Sequence, residues 1–325
     1  MGRSDRGATL KSLAFSGLAA LAACAAPVSN PPPAPTQVAA PSVAPVARPG
    51  SVAPSAASSD LAAYYRREEA RLLAQGLLRT DGGGPDTPFT DTMLARNFIA
   101  IALFDEYVET AGTYQARATA AVLNRWEQPV VFNVEAGASV PPAQAAEDRA
   151  NVTAYAARLS RATGLPMSVS PVAGQGNFHV LILGEDDRPG YAARIRALLP
   201  GIPDASLRAI LYPPRETYCL VVSFADRTGN AFGSAVALIR AEHPDLLRLA
   251  CIHEELAQGL GLTNDSAGAR PSIFNDDQEF GLLTTQDELL LRILYDRRLR
   301  PGMGSAEAAP IVRQIATELM GRGPA

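Results

Sequence analysis

The stretch Cys251–Asp265, CIHEELAQGLGLTND, holds the residues of this chain whose types and spacing could do chemistry. Glu254 and Gln258 stand four positions apart with Glu255 beside the first, and Asn264 follows a glycine at Gly261. A helix that holds catalytic zinc uses such spacing, with ligands at i and i+4 and a carboxylate base at i+1. The reaction would be metal-assisted hydrolysis, with Glu255 as the general base. The donors are wrong for it. Zinc prefers imidazole and thiolate, whereas Glu254, Gln258 and Asn264 offer one carboxylate and two amides. Without the ion an attacking water keeps the high pKa of bulk water instead of about 7, which Glu255 alone does not offset. Zinc is therefore not expected, and no cofactor is implied. Glu254, Gln258, Asn264 and Asp265 are hard oxygen donors of the kind Ca²⁺ or Mg²⁺ accepts, although their spacing matches no known cation loop.

The neighbouring residues narrow the choice of frame. Starting H-E-x-x-H at His253 puts Ala257 at the second ligand and Leu260 at the glycine, so this frame fails twice. On a helical wheel Leu246, Leu249, His253, Leu256 and Leu260 form an apolar stripe, with Glu254, Glu255 and Gln258 on the opposite arc. His253 reads as a hydrogen-bonded core residue, and on the helix alone the polar arc reads as a solvated face. His243 lies roughly 16 Å along the axis from Glu254, too far to join it. His179 alternates with Leu181 and Leu183 and reads as a packed strand residue. No G-x-S-x-G occurs to support a serine nucleophile. Adjacent helical carboxylates diverge, so Glu254 and Glu255 do not read as a glycosidase pair.

The elements that must position these residues follow an α+β order. Helical leader segments are expected over 60–115: one helix from an N-cap at Asp60, then a second through TDTMLARNFIAIALFDEYVE after the glycines of TDGGGPDTP. Strands are expected around Val130–Val134, in MSVSPV, in NFHVLILG, and twice about a Gly-Asn turn in TYCLVVSFADRTGNAFGSAVALIRAEHP. Helices are expected through EDRANVTAYAARLSRATGLP, closed by Gly164, and in GYAARIRALLPG. The helix of the opening stretch enters through Pro244 as a first-turn residue. A last helix starts at Thr285 with Glu288 at capping-box spacing, and a tail over 304–325 has room for a short helix.

The shifted frame, Glu254 to Asn264, overlays H-E-x-x-H-x-x-G-x-x-H throughout, with Gly261 at the helix-ending turn. Downstream, PSIFND resembles a Met-turn with Phe274 at the methionine and Asp276 at the tyrosine, and LTTQDELLLRILYD resembles the closing helix that follows it. These features resemble the metzincin metallopeptidases. The run from LARNFIAIALFDEY through CIHEELAQGLGLTND to RILYD is similar, over residues 89–303, to a bacterial family known as domain of unknown function 2927. The resemblance implies a metzincin/zincin-like mixed sheet with a long motif-bearing helix in a core over about 120–303. It places Glu254, Gln258 and Asn264 at the ligand positions, Glu255 at the general base, Gly261 at the turn and Phe274 at the Met-turn.

The start of the chain reads as a targeting segment. Arg3, Arg6 and Lys11 precede an apolar run from Leu13 to Ala23, too short to span a bilayer, which ends in Leu21-Ala22-Ala23-Cys24. This matches a lipobox, with residues 1–24 as the signal peptide and Cys24 lipidated; the alternative is plain cleavage at Ala25-Ala26. Residues 25–59 are rich in Pro, Ala, Val and Ser and read as a disordered, semi-extended spacer. A single globular domain over 60–325 follows. Ala25 is not aspartate, which points to the outer membrane and a domain facing the periplasm. Cys219 and Cys251 then remain as a disulfide candidate, with two buried thiols as the alternative.

Charge excludes one class of partner. The chain of 325 residues carries a formal charge of −4, which moves to about −6 without the leader. Lys11 is the only lysine and the arginines are interleaved with acids, so nucleic acid is not an expected partner. The expected function is a lipid-anchored, non-catalytic binding module for an envelope polypeptide or cell-wall ligand, tethered to the membrane through Cys24. The alternatives are an atypical metal-dependent hydrolase using Glu255 and a structural envelope lipoprotein.

Overall fold

A computed structural model describes residues 53–110, 113–226, 229–275 and 277–321. The leader with Cys24, most of the Pro/Ala-rich spacer and Asp276 lie outside the described residues. Among the described residues, no helix is long and apolar enough to cross a membrane.

Helix α1 (Ala56–Ala74) opens the described fold. Its N-cap is Ser55, whose hydroxyl accepts the Ser58 N–H at 3.1 Å, so the helix begins four residues before the expected cap at Asp60. Helix α2 (Asp91–Ala102), capped by Thr90, is shorter than expected. Residues from Phe104 leave the helix and form β1 (Phe104–Thr110), paired antiparallel with β2 (Thr113–Ala120). The apolar spacing of α2 holds only through Ala102.

A mixed sheet of six strands organises the rest, which is α+β as expected. Strands β3 (Arg125–Trp126), β4 (Val130–Ala136), β5 (Met167–Val169), β6 (Phe178–Leu183), β7 (Cys219–Ala225) and β8 (Ala231–Arg240) follow in chain order. Their spatial order is β3-β8-β6-β4-β5, all pairs parallel, and β7 pairs antiparallel with β8. Strand β6 is buried throughout, which explains its unbroken apolar run: a parallel strand covered on both faces has no wet side. Alternate residues feed two cores. Phe178, Val180 and Ile182, with Ala235, Ala237 and Ile239, enter the larger one; Leu181, Leu183, Val236 and Leu238 enter the smaller.

Helices cover both faces. Helix α3 (Pro142–Thr163) ends at Gly164 in the left-handed conformation, as expected. A 3-10 turn (Arg188–Tyr191) leads into α4 (Ala192–Leu198), and α5 (Asp204–Leu211), which local patterning did not reveal, packs with α4 over the smaller core. Helix α6 (Asp245–Gln258) lies against β7 and β8 on the larger core. Pro244 is its N-cap with extended ψ rather than its first helical residue. Helix α7 (Thr285–Leu294) has its capping box at Thr284 and Asp287, one residue earlier than the expected Thr285 and Glu288. The tail forms α8 (Ser305–Met320), a helix of 16 residues packed on α2 and α7.

Candidate binding cleft along the edge strand

Helix α6 is seated by groups at both ends. At its start, the buried Arg248 guanidinium donates to Asp148 Oδ1 on α3 at 2.6 Å and to the His243 carbonyl at 2.8 Å. At its end, Trp126 Nε1 donates to the Gly259 carbonyl at 2.9 Å and the Tyr295 hydroxyl to the Leu260 carbonyl at 3.0 Å. Gly261 has φ +122°, and a Cβ there would lie 2.2 Å from the Asn124 carbonyl oxygen, so the turn that ends the helix needs glycine. Phe274 is fully buried in the larger core, in a turn whose carbonyl accepts the Ser266 N–H at 2.8 Å.

The histidine at the centre of the motif is structural. His253 Nδ1 accepts the Leu283 N–H at 3.1 Å and its ring stacks on Tyr155 at 3.9 Å. Burial, with a smaller contribution from the Arg158 charge, pushes its pKa down to about 3. His179 meets Asn133 Nδ2 at 3.2 Å inside the sheet. His243, fully buried, lies with Nδ1 3.6 Å from Cys251 Sγ, and burial holds its pKa well below the usual value, helped by Arg240 and Arg248. No histidine lines the cleft among the described residues.

Strand β7 pairs with β8 along one edge, and along its other edge runs a cleft of about 1120 Å³. Cys219 and Val221 look to the larger core, Leu220, Val222 and Phe224 to the smaller. The cleft thus straddles the edge of the sheet. Glu254, Glu255 and Gln258 of α6 border it on one side, and Ala205, Arg208, Ala209 and Tyr212 of α5 and its exit border it on the other. Cys219 and Cys251 form a disulfide, 5.9 Å between Cα atoms, which fastens the first residue of β7 to α6 one turn before Glu254.

The polar arc of α6 is not a solvated face: Glu255 is 3% and Gln258 9% exposed, and Glu254 is half-buried. The two glutamates also do not diverge. Donor atoms of Glu254, Glu255 and Cys219 all lie within 4.8 Å of one another, because both long side chains lean toward the start of β7. Asn264 does not join them. Its Nδ2 donates to the Ala100 carbonyl at 2.8 Å and its N–H to the Ile101 carbonyl at 3.0 Å, so the third ligand position serves to close α2. The next residue, Asp265, faces the cleft instead, where its Oδ1 accepts from Gln258 Nε2 at 3.2 Å.

These residues do not fit zinc. The sulfur of Cys219 is committed to the disulfide and supplies no thiolate, and the remaining donors, Glu254, Glu255, Gln258 and Asp265, present oxygen or amide groups. This donor set belongs with hard cations if with any.

A loop that sequence patterning did not single out forms the rim. Arg240, 1% exposed, donates to the carbonyls of Pro213, Pro214 and Thr217 at 2.7–3.0 Å. The Tyr65 hydroxyl of α1 donates to the Arg215 carbonyl at 2.8 Å, and the Arg215 guanidinium sits over the Tyr64 ring at 5.0 Å. On this braced loop Tyr212 is 63% exposed at the mouth of the cleft. An arginine at a strand end and a tyrosine on a distant helix carry no local signal of such a role.

The pattern of a family described as "Protein of unknown function (DUF2927)" matches residues 91–314. The chain belongs to this family. No curated protein and no solved structure matches it. The DUF2927 match takes in the sheet, α6 and every residue that lines the cleft, and begins after α1.

Proposed function

We propose that this DUF2927 protein is a non-catalytic binding module of the cell envelope that holds an extended polypeptide along β7. The observation that carries the reading is the second edge of β7, bordered by the cleft rather than by another strand among the described residues. Such an edge presents a row of backbone donors and acceptors, and an extended chain lying along it completes the sheet. The metzincin-like ancestry proposed from the motif supports the same ligand geometry by analogy of fold. Lipidation at Cys24, with the domain facing the periplasm from the outer membrane, is the proposed anchoring. The substituted donors at Glu254, Gln258 and Asn264 support loss of zinc-dependent hydrolysis.

The test is site-specific photocrosslinking in the living envelope from Val222 on β7, with Val172 on a distant surface as control, followed by mass spectrometry. A discrete polypeptide crosslinked from Val222 alone supports the module. Crosslinks to cell-wall glycan in place of polypeptide, or equal patterns from both positions, overturn it. Elemental analysis with an assay on unfolded protein substrates tests the hydrolase alternative: stoichiometric metal together with cleavage lost in Glu255→Gln establishes a hydrolase instead.

A further inference from the structure

We infer that the cleft selects extended peptides in which alternate residues are cationic and the residues between them are small and apolar; this rests on the strand-addition reading above. The first step is geometric. Side chains of a strand alternate between the two faces of its sheet, so a strand added to β7 sends every second residue toward α6 and the others toward α5. Strand β7 spans seven residues, Cys219–Ala225, which sets a ligand stretch of the same order.

The second step is chemical. Toward α6 the added strand meets Glu254, Glu255, Gln258 and Asp265; toward α5 it meets Ala205, Ala209 and the Tyr212 ring. Across the described lining stand five carboxylates, Asp105, Glu216, Glu254, Glu255 and Asp265, against a single guanidinium, Arg208. Glu254, Glu255, Asp265 and Arg208 each engage other groups of the chain. What carries the inference is therefore the summed charge of Glu254, Glu255 and Asp265 on the α6 wall and not a vacant acceptor. A concave, partly desolvated wall of one sign attracts the opposite sign more strongly than an open surface does. The short methyl groups of Ala205 and Ala209 leave shallow room on the opposite wall, and Tyr212 offers an apolar ring with a polar tip.

The experiment measures fluorescence anisotropy of labelled eight-residue peptides against the full chain. The probes are an alternating Lys-Ala peptide, the alternating Gln-Ala peptide, and a block isomer with four Lys followed by four Ala. The alternating Lys-Ala peptide is expected to bind about 10–80-fold more tightly than Gln-Ala, from a gain of roughly 3-fold at each of two to four cationic positions. It is also expected to bind at least about 5-fold more tightly than the block isomer, since only the alternating order sends every charge to one wall. The preference over Gln-Ala should shrink to below about 3-fold in Glu254→Gln/Glu255→Gln and in 0.5 M salt. Because Glu255 is buried, Glu254→Gln alone serves as a second variant, expected to lower the preference about 3-fold.

Equal affinity for Lys-Ala and Gln-Ala overturns the inference and leaves the cleft reading standing. Equal affinity for the alternating and block isomers reduces the preference to non-specific attraction and overturns it too. If none of the peptides binds, the strand-addition reading falls with it.

Discussion

Breaking the disulfide tests both the stability of the fold and the fastening of the cleft. The perturbation is Cys219→Ala together with Cys251→Ala, or reduction of the unaltered chain. The bridge joins residues 32 positions apart. In the chain-entropy account, closing a loop of that length removes roughly 12 cal/mol/K from the unfolded ensemble, which is about 3.7 kcal/mol at 25 °C. For a domain of this size that corresponds to a fall in Tm of ~7–15 °C. The assay is guanidinium unfolding of the full chain with and without reductant, read by intrinsic fluorescence. The unaltered chain should lose about 3–4 kcal/mol on reduction, while the double variant should be indifferent to reductant. The variant should also lose affinity for any peptide held in the cleft, because Cys219 begins the edge strand and Cys251 lies one turn before the glutamates on α6. Two titratable thiols besides that of Cys24 in the unfolded, unreduced chain would refute the reasoning at its root. A loss below about 1 kcal/mol would refute the loop-closure magnitude.

Further measurements probe the groups that seat α6 and the rim. His253 titrates near 3 when folded and near ~6.5 when unfolded, so the folded state favours the neutral ring. Its contribution is present above pH ~6.5 and is lost as the pH falls toward 3. Between pH 6 and pH 4 the unaltered chain should therefore lose about 2–3 kcal/mol more than His253→Asn, as read by urea unfolding at each pH; parallel curves would reject the assignment. Gly261→Ala places a Cβ 2.2 Å from the Asn124 carbonyl oxygen and should cost about 2–5 kcal/mol, whereas Gly164→Ala, also at positive φ but with nothing within 4 Å, should cost about 1–2 kcal/mol. Equal costs in thermal unfolding would show that backbone conformation alone matters at both positions. Tyr65→Phe removes the bond to the Arg215 carbonyl and should cost about 1 kcal/mol while speeding amide exchange over residues 215–218, and unchanged exchange there would remove α1 from the bracing of the cleft.

What the sequence made legible follows the range of the interactions involved. Strands β4, β6, β7 and β8 were readable because each is a run of β-branched and apolar residues bounded by turn residues, and parity made Cys219 and Cys251 a disulfide candidate beside the alternative of two thiols, which the 5.9 Å Cα separation decides. The strand at Phe104–Thr110 was not readable, since it leaves α2 with no glycine or proline between and shows no apolar alternation. The role of His253 as a core group was readable from its place among leucines. The orientation of Asn264 was not: carbonyls of Ala100 and Ile101, more than 160 positions away in the chain, decide it. The same holds for the convergence of Glu254 and Glu255, which depends on where β7 passes over α6. Spacing along a helix shows which residues share a face; it does not show what lies opposite.

That distinction bears on how far the working unit of the protein extends. The family match begins at residue 91, yet α1 covers charged groups that lie within the matched span. Ser58 Oγ donates to Glu242 Oε1 at 2.9 Å, the Tyr65 ring meets His243 at 4.3 Å edge-on, and Arg240 lies 5.8 Å from the same ring. Glu242, His243 and Arg240 are all at least nine-tenths buried. Uncovering them would hydrate a cluster whose members hold their protonation states through burial, which raises the Glu242 pKa and lowers that of His243. Arg240 is the residue that binds the three rim carbonyls, so a change in its surroundings passes directly to the wall of the cleft. The first helix of the described residues is in this way joined, through two side chains and one arginine, to the loop that shapes the proposed ligand site.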